Sequence, residues 1–178
     1  PAAGEVRTIT YRELGEASCR FANVLRGLGV GKGDVVFVLC GRIPELYAAV
    51  LGGLKCGAAV SPLFSAFGPE PLKTRINLGA GKLLVTTDAL YERKVKKVAG
   101  EMPTLKHVLC VDSAEARAQV ESASERFAIE CTGPEDPSFL HFTSGTTGMP
   151  KGAVHVHGAV AMHYATGQVA LDLHDDDV

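Results

Sequence analysis

The run Val35-Val36-Phe37-Val38-Leu39 is apolar at every position and partly β-branched. A strand with one wet face alternates apolar and polar residues, so this one reads as covered on both faces. Its surroundings supply the cover. Thr10 is a good helix N-cap, Glu13 stands at the capping-box position, and Ile9 and Leu14 hold the staple positions. Leu14, Ala17, Phe21, Leu25 and Leu28 then recur at helical spacing, and the glycines at 27, 29, 31 and 33 end that helix and open a turn.

The unit repeats downstream. Pro44 suits a helix start, with Leu46, Val50 and Leu54 on one face and Gly57 at the end. Ala58 to Val60 reads as a strand, Pro69 to Leu78 as a helix and Lys82 to Thr86 as a strand. Ala89 to Ala99 reads as another helix, and Lys106 to Val111 as another strand. Alternation of this kind predicts βαβ units, an α/β fold with a mostly parallel Rossmann-like sheet and flanking helices. Ser113 to Glu130 is poor in large apolar residues and reads as a solvated helix and connection. A Gly- and Pro-containing loop follows it to Pro137. Ser138 to Phe142 and Ala153 to His157 read as two strands of a hairpin, with a final helix from Gly158 to Leu173 that turns Val160, Tyr164 and Leu171 inward.

Between those last strands lies Thr143-Ser144-Gly145-Thr146-Thr147-Gly148-Met149-Pro150-Lys151-Gly152. Hydroxyl side chains and backbone N–H groups approaching closely at glycines can wrap phosphate oxygens, and a lysine at the rim adds a mobile positive charge. A plain polar turn needs neither this length nor this density of donors. The loop is not the NTPase version, G-x-x-x-x-G-K followed by Ser or Thr. Pro150 replaces the second glycine, and Gly152 replaces the hydroxyl residue that would hold Mg²⁺. Thr143, Ser144, Gly145, Thr146, Thr147, Gly148 and Lys151 are the candidate phosphate-binding residues.

The order hydroxyl, Ser, Gly, hydroxyl, Thr, Gly, any residue, Pro, Lys, Gly is unbroken from Thr143 to Gly152. In this the chain resembles the acyl-adenylate-forming (AMP-binding) enzymes. Pro44-Glu45-Leu46-Tyr47, Leu54 to Ala58 and Pro62-Leu63-Phe64 are similar to the same family. Phe64 to Glu70, Leu140-His141-Phe142 and His155-Val156-His157 are similar in wording to acetate–CoA ligases. The resemblance implies ATP-dependent ligation, in which a carboxylate attacks the α-phosphorus, pyrophosphate leaves and acyl-CoA forms. It implies ATP, Mg²⁺, coenzyme A and a short carboxylic acid as cofactors and small-molecule partners, with acetate as the acid. The alternatives are a longer or aromatic acid, or a non-catalytic structural or interaction module.

Enzymes of this family are several times longer. The resemblance therefore implies that residues 1–178 are an N-terminal portion of the large domain: 5–112 βαβ units, 113–137 helix and connection, 138–178 phosphate-loop hairpin and final helix. The ribose, metal and acyl-pocket residues and the catalytic lysine would lie beyond Val178. No catalytic or metal-binding residue is assigned in this chain, and alone it is expected to be inactive. Phe64 resembles part of a CoA-contacting segment, with a core phenylalanine an equal reading. Arg93 is one residue out of register with the family's arginine. Neither enters the candidate set.

Composition narrows the partners. A net charge of −2 offers no broad basic surface for nucleic acid, and no apolar run is long enough to span a membrane. The five cysteines are never closer than sixteen positions, so zinc and redox spacings are absent. Free thiols in a reducing, cytoplasmic compartment are expected. His155 and His157 alternate on the predicted strand and face one way. With no third ligand in view, they read as polar residues near the cleft.

Overall fold

The computed structural model describes residues 8–143, 149–172 and 174. Helix α1 (Tyr11–Gly27) leads to β1 (Val35–Leu39), α2 (Pro44–Lys55), β2 (Ala59–Pro62), α3 (Pro69–Leu78) and β3 (Leu83–Thr86). A short α4 (Asp88–Leu90), β4 (His107–Cys110), α5 (Ala114–Ser122), β5 (Pro137–Thr143), β6 (Lys151–Val156) and α6 (His157–Ala170) complete the order. The sheet runs β4-β3-β1-β2-β5-β6, parallel except where β6 returns antiparallel to β5. The expected α/β architecture is present.

β1 explains the two-layer cover. Val36 and Val38 enter a core with Phe21, Ala22 and Leu25 of α1 and Ala49 of α2. Phe37 and Leu39 enter the opposite core with Leu72 and Ile76 of α3. All four β1 residues are fully buried.

The helix ends follow from local chemistry. Thr10 Oγ1 accepts from Glu13 N, and Glu13 Oε2 accepts from Thr10 N at 2.7 Å, closing the capping box. Three helices then end alike. Val30 N bonds to Leu25 O and Gly29 N to Arg26 O after α1. Ala58 N bonds to Gly53 O and Gly57 N to Leu54 O after α2. Gly81 N bonds to Ile76 O and Ala80 N to Asn77 O after α3. These are Schellman closures, which need a left-handed residue after the cap. Gly29 (φ 80°) and Gly57 (φ 72°) supply it freely, whereas Ala80 (φ 49°) does so against its Cβ.

The face of α2 differs from expectation. Leu46, Val50 and Leu54 pack at the margin of the core, while Ala48, Ala49, Gly52 and Gly53 are the buried positions. A Cβ at Gly52 would lie 2.9 Å from Phe21 Cβ and 3.0 Å from Ala22 N, and one at Gly53 would lie 2.7 Å from Val60 Cγ2. α2 is thus a notch of small residues that seats α1 on one side and β2 on the other.

The helix expected over Ala89 to Ala99 is replaced. α4 passes into a π-helical turn over Tyr91–Val95, closed by Lys96 N to Tyr91 O, and a 3₁₀ turn follows at Ala99–Glu101. Its buried residues Leu90, Val95 and Val98 are spaced five and then three apart, which an unbroken α-helix would put on different faces.

Nor are Val160, Tyr164 and Leu171 turned inward. They are 41%, 68% and 71% exposed, and no residue of α6 is buried. No core among the described residues reaches this helix.

The cysteines are all free, with Cys40 and Cys56 buried and Cys131 exposed. Burial pushes the Cys40 thiol up to about 12 and the Cys56 thiol to about 11, so neither is a reactive thiolate at neutral pH.

Because Ala80 alone of the three closing residues carries a Cβ, Ala80→Gly is expected to stabilise the fold by about 0.5–1 kcal/mol. Urea denaturation with an unchanged m-value measures this; a loss of stability would contradict the strain assigned to Ala80.

Candidate phosphate-binding site

β5 is parallel to β2 and therefore ends at the carboxyl edge of the sheet, where open α/β sheets bind ligands. Its last residue, Thr143, is paired directly with Lys151, the first of β6. These two candidate residues thus flank the mouth of the loop, both exposed, with Thr143 Oγ1 3.5 Å from Lys151 O. Ser144, Gly145, Thr146, Thr147 and Gly148 lie outside the described residues.

The hairpin's foot is tied to the core by aromatic packing. Phe142 pairs with Gly152, where an added Cβ would sit 3.0 Å from Leu140 Cδ1 and 3.5 Å from Phe142 Cε1. Phe142 in turn stacks on Phe37 at 6.2 Å and 21°. Gly152 therefore has a packing role beneath the loop. The other end is held by Ser138 Oγ donating to His155 O at 3.0 Å.

Phe139, His141 and Thr143 share one face of the hairpin with Lys151, Ala153 and His155. Along it the rings of Phe139 and His141 are 5.7 Å apart and those of His141 and His155 5.2 Å. The sequence reading missed this pairing because His141 and His155 meet only once the strands are in register. Alternation along the sequence instead puts His155 and His157 on one strand face. β6 ends at Val156, because His157 N turns to Asp136 O at 2.9 Å and opens α6. Among the described residues no group of three or more His, Cys, Asp or Glu could hold a metal.

Partial dehydration of its ring, and secondarily the charge of His155, hold His141 below the ordinary histidine value. At Asp136, Lys32 Nζ at 2.7 Å and the Gly133 N–H hold the carboxyl below the usual carboxylate range. This anchors the turn that delivers α6 and β5.

The region around Phe64 is separate from the hairpin. Phe64 is 65% exposed, which removes the core reading, and lies edge-on to Phe67 at 5.7 Å. Lys94 Nζ donates to Ser65 O and Phe67 O, and Arg75 covers the Phe67 ring at 4.2 Å. Arg93 is turned back on its own helix, with Nε donating to Ala89 O.

The family model described as AMP-binding enzyme matches residues 1–178. The chain belongs to the AMP-binding enzyme family. It is 41% identical over 178 residues to acetyl-coenzyme A synthetase of Bacillus subtilis (strain 168), covering 95% of this chain and 31% of that protein. Among solved structures, it is similar to an acyl-CoA synthetase of Brucella canis, with a TM-score of 0.84 and 30% identity over 100% of this chain and 33% of that one. It also resembles apo MatB from Rhodopseudomonas palustris, with a TM-score of 0.86 and 28% identity, covering 99% of this chain and 34% of that one. The chain thus spans about a third of the length of these AMP-binding relatives. Among the described residues no helix is long and apolar enough to cross a membrane.

For His141, a lowered folded-state value means that its contribution to stability is present above the ordinary histidine value and is lost as pH falls through the lowered one. An NMR titration should therefore find His141 protonating at lower pH than an ordinary histidine. His155→Gln should shift that midpoint up only in part, since dehydration is the larger cause. A midpoint at or above the ordinary value would reject this account.

Proposed function

We propose that this chain supplies the phosphate-gripping part of an ATP-dependent acid–CoA ligase, and that the acid is acetate. The reaction would form an acyl-adenylate with loss of pyrophosphate, then acyl-CoA. The observation that carries the reading is the Thr143–Lys151 pair, set across the mouth of the loop at the carboxyl edge of the sheet in a chain of the AMP-binding family. The name of the Bacillus subtilis relative favours acetate.

In this reading Thr143, Ser144, Thr146 and Thr147, with the N–H groups of Gly145 and Gly148, donate to the β- and γ-phosphates of ATP. Negative charge builds on the transferring and leaving oxygens as the carboxylate attacks, and fixed donors lower that barrier. Lys151 neutralises part of the same charge. Mg²⁺ would accompany the ATP phosphates; no residue of this chain is assigned to it, or to coenzyme A.

Lys151→Ala in the protein at the length of its relatives is expected to lower the adenylation rate roughly tenfold to a few hundredfold, about 1.4 to 3 kcal/mol. The apparent ATP affinity should change less, because the contact matters most in the transition state. Thr143→Ala should fall in the same direction by less. Acetate-dependent pyrophosphate exchange reads both, and the 178-residue chain alone should give only background. A Lys151→Ala enzyme within twofold of the parent in both rate and affinity would put the lysine outside the site.

The choice of acid is tested separately. A pocket discriminates a methylene by only about 1–3 kcal/mol, so propionate should be used detectably beside a preferred acetate. The readout is kcat/KM for acetate, propionate, butyrate and benzoate. A preference for butyrate or benzoate would reject acetate and leave the adenylating reading in place.

A further inference from the structure

The amine of Lys55, at the end of α2, is held against α1 by three groups. Its Nζ is 3.1 Å from Gly15 O, 2.7 Å from Ser18 Oγ and 3.0 Å from Cys19 Sγ. Ser18 is fully buried, and Cys19 and Lys55 are half-buried. The notch at Gly52 sets this approach. A Cβ there would lie 3.1 Å from Ser18 O, so only glycine lets α1 come this close one turn before Lys55.

The hydrogen bonds fix what each direction around Nζ can be. Gly15 O only accepts. Ser18 Oγ gives its own proton to Gly15 O at 2.8 Å, so toward Lys55 it accepts as well. The charged ammonium therefore donates to both oxygens and to the sulfur. The neutral amine keeps two N–H groups, which the two oxygens take, and its lone pair is left facing Cys19 Sγ. Among the described residues no other cysteine sulfur receives a lysine amine. Lys32 Nζ meets Cys131 at its backbone oxygen, and Cys40 and Cys56 give their thiols to Val85 O and Ala22 O. Burial, and secondarily Asp88, push the Cys110 thiol up to about 12.

We infer that Cys19 and Lys55 form a peroxide-dependent modification site, at which a sulfenamide bond joins α1 to α2. Peroxide first oxidises Sγ to the sulfenic acid: an S–O bond forms, the O–O bond breaks and one water leaves. Lys55, having shed its proton to solvent, then attacks Sγ with its lone pair. The N–S bond forms, the S–O bond breaks, and the sulfenic oxygen leaves as a second water. One thiol, one amine and one peroxide thus give one sulfenamide and two waters, with sulfur oxidised and peroxide reduced by two electrons. A free thiol attacking the sulfur reverses the bond and restores the amine. The joined residues are 36 positions apart, so the link constrains the unfolded chain as a disulfide would.

Non-reducing peptide mapping of the protein at the length of its relatives, after treatment with hydrogen peroxide, tests this. A peptide bearing Cys19 should appear joined to one bearing Lys55, lighter than their sum by two hydrogens and separated again by dithiothreitol. The thermal midpoint of the treated protein should rise by several degrees. Lys55→Arg keeps a cation beside Ser18 but has no lone pair to offer. Its Cys19 should stop at the sulfenic acid, trapped by dimedone, with no rise in midpoint. Cys19 left reduced in the parent protein, or oxidised without a joined peptide, would overturn the inference. Mapping of the parent protein decides this even where Lys55→Arg folds poorly.

Discussion

The ring of Phe37 is the contact on which the most distant parts of the fold converge. It is fully buried at the centre of β1, and the chain leaving α3 is shaped around it. A Cβ at Gly81 would lie 2.5 Å from Phe37 Cδ2, and one at Gly79 would lie 2.8 Å from Phe37 Cζ. Glycine is therefore required on both sides of Ala80, and the left-handed position between them falls to alanine. The same ring stacks on Phe142, which covers Gly152. One side chain thus sets the closure of α3, the start of β3 and the footing of the candidate phosphate loop. Removing a buried ring of this kind costs of order 3–5 kcal/mol, and here the loss would reach the hairpin through Phe142.

The opposite layer rests on absence of side chain rather than on bulk. Gly52 lets α1 approach the backbone of α2 closely, and Lys55 at the end of α2 donates to Gly15 O, Ser18 Oγ and Cys19 Sγ of α1. α1 in turn holds the weakly patterned connection after α5. Arg20 bonds to Glu121 O, Ala123 O and Glu125 Oε1, Asn23 to Ser124 O and Arg126 O, and Arg26 covers Phe127 at 4.3 Å. A segment with little core of its own is ordered by the polar side of a helix roughly a hundred residues earlier. The path from β4 back to β5 is fixed in this way.

What the sequence could reveal was governed by the range of the interaction. The capping box at Thr10 and Glu13, the glycines at 29 and 57 and the continuous apolar run of β1 are local signals, and each appears as expected. The closure at Ala80 was hidden because the residue bearing the conformation is not the glycine that usually marks it. The buried side of α2 was misjudged because large residues advertise burial, whereas the contact with Phe21 and Ala22 requires small ones. The π-helical turn looks like regular helix in sequence because its five-residue spacing shows only against an observed core. For the site, the loop motif and its flanking strands were legible, and pairing them sets Thr143 opposite Lys151. The His141–His155 contact depends on strand register, which the motif does not encode.

Burial falls steeply across the sheet, and the candidate site lies at its low end. β1 and β3 are almost wholly buried, β5 alternates, and β6 is exposed along nearly its whole length. Elements with few buried contacts open most readily, and binding loops are drawn from such regions. The hairpin nevertheless keeps a fixed base, because Phe142 reaches back to Phe37 and Ser138 bonds to His155 O across the strands. The base can therefore hold Thr143 and Lys151 in register at the mouth of the candidate loop.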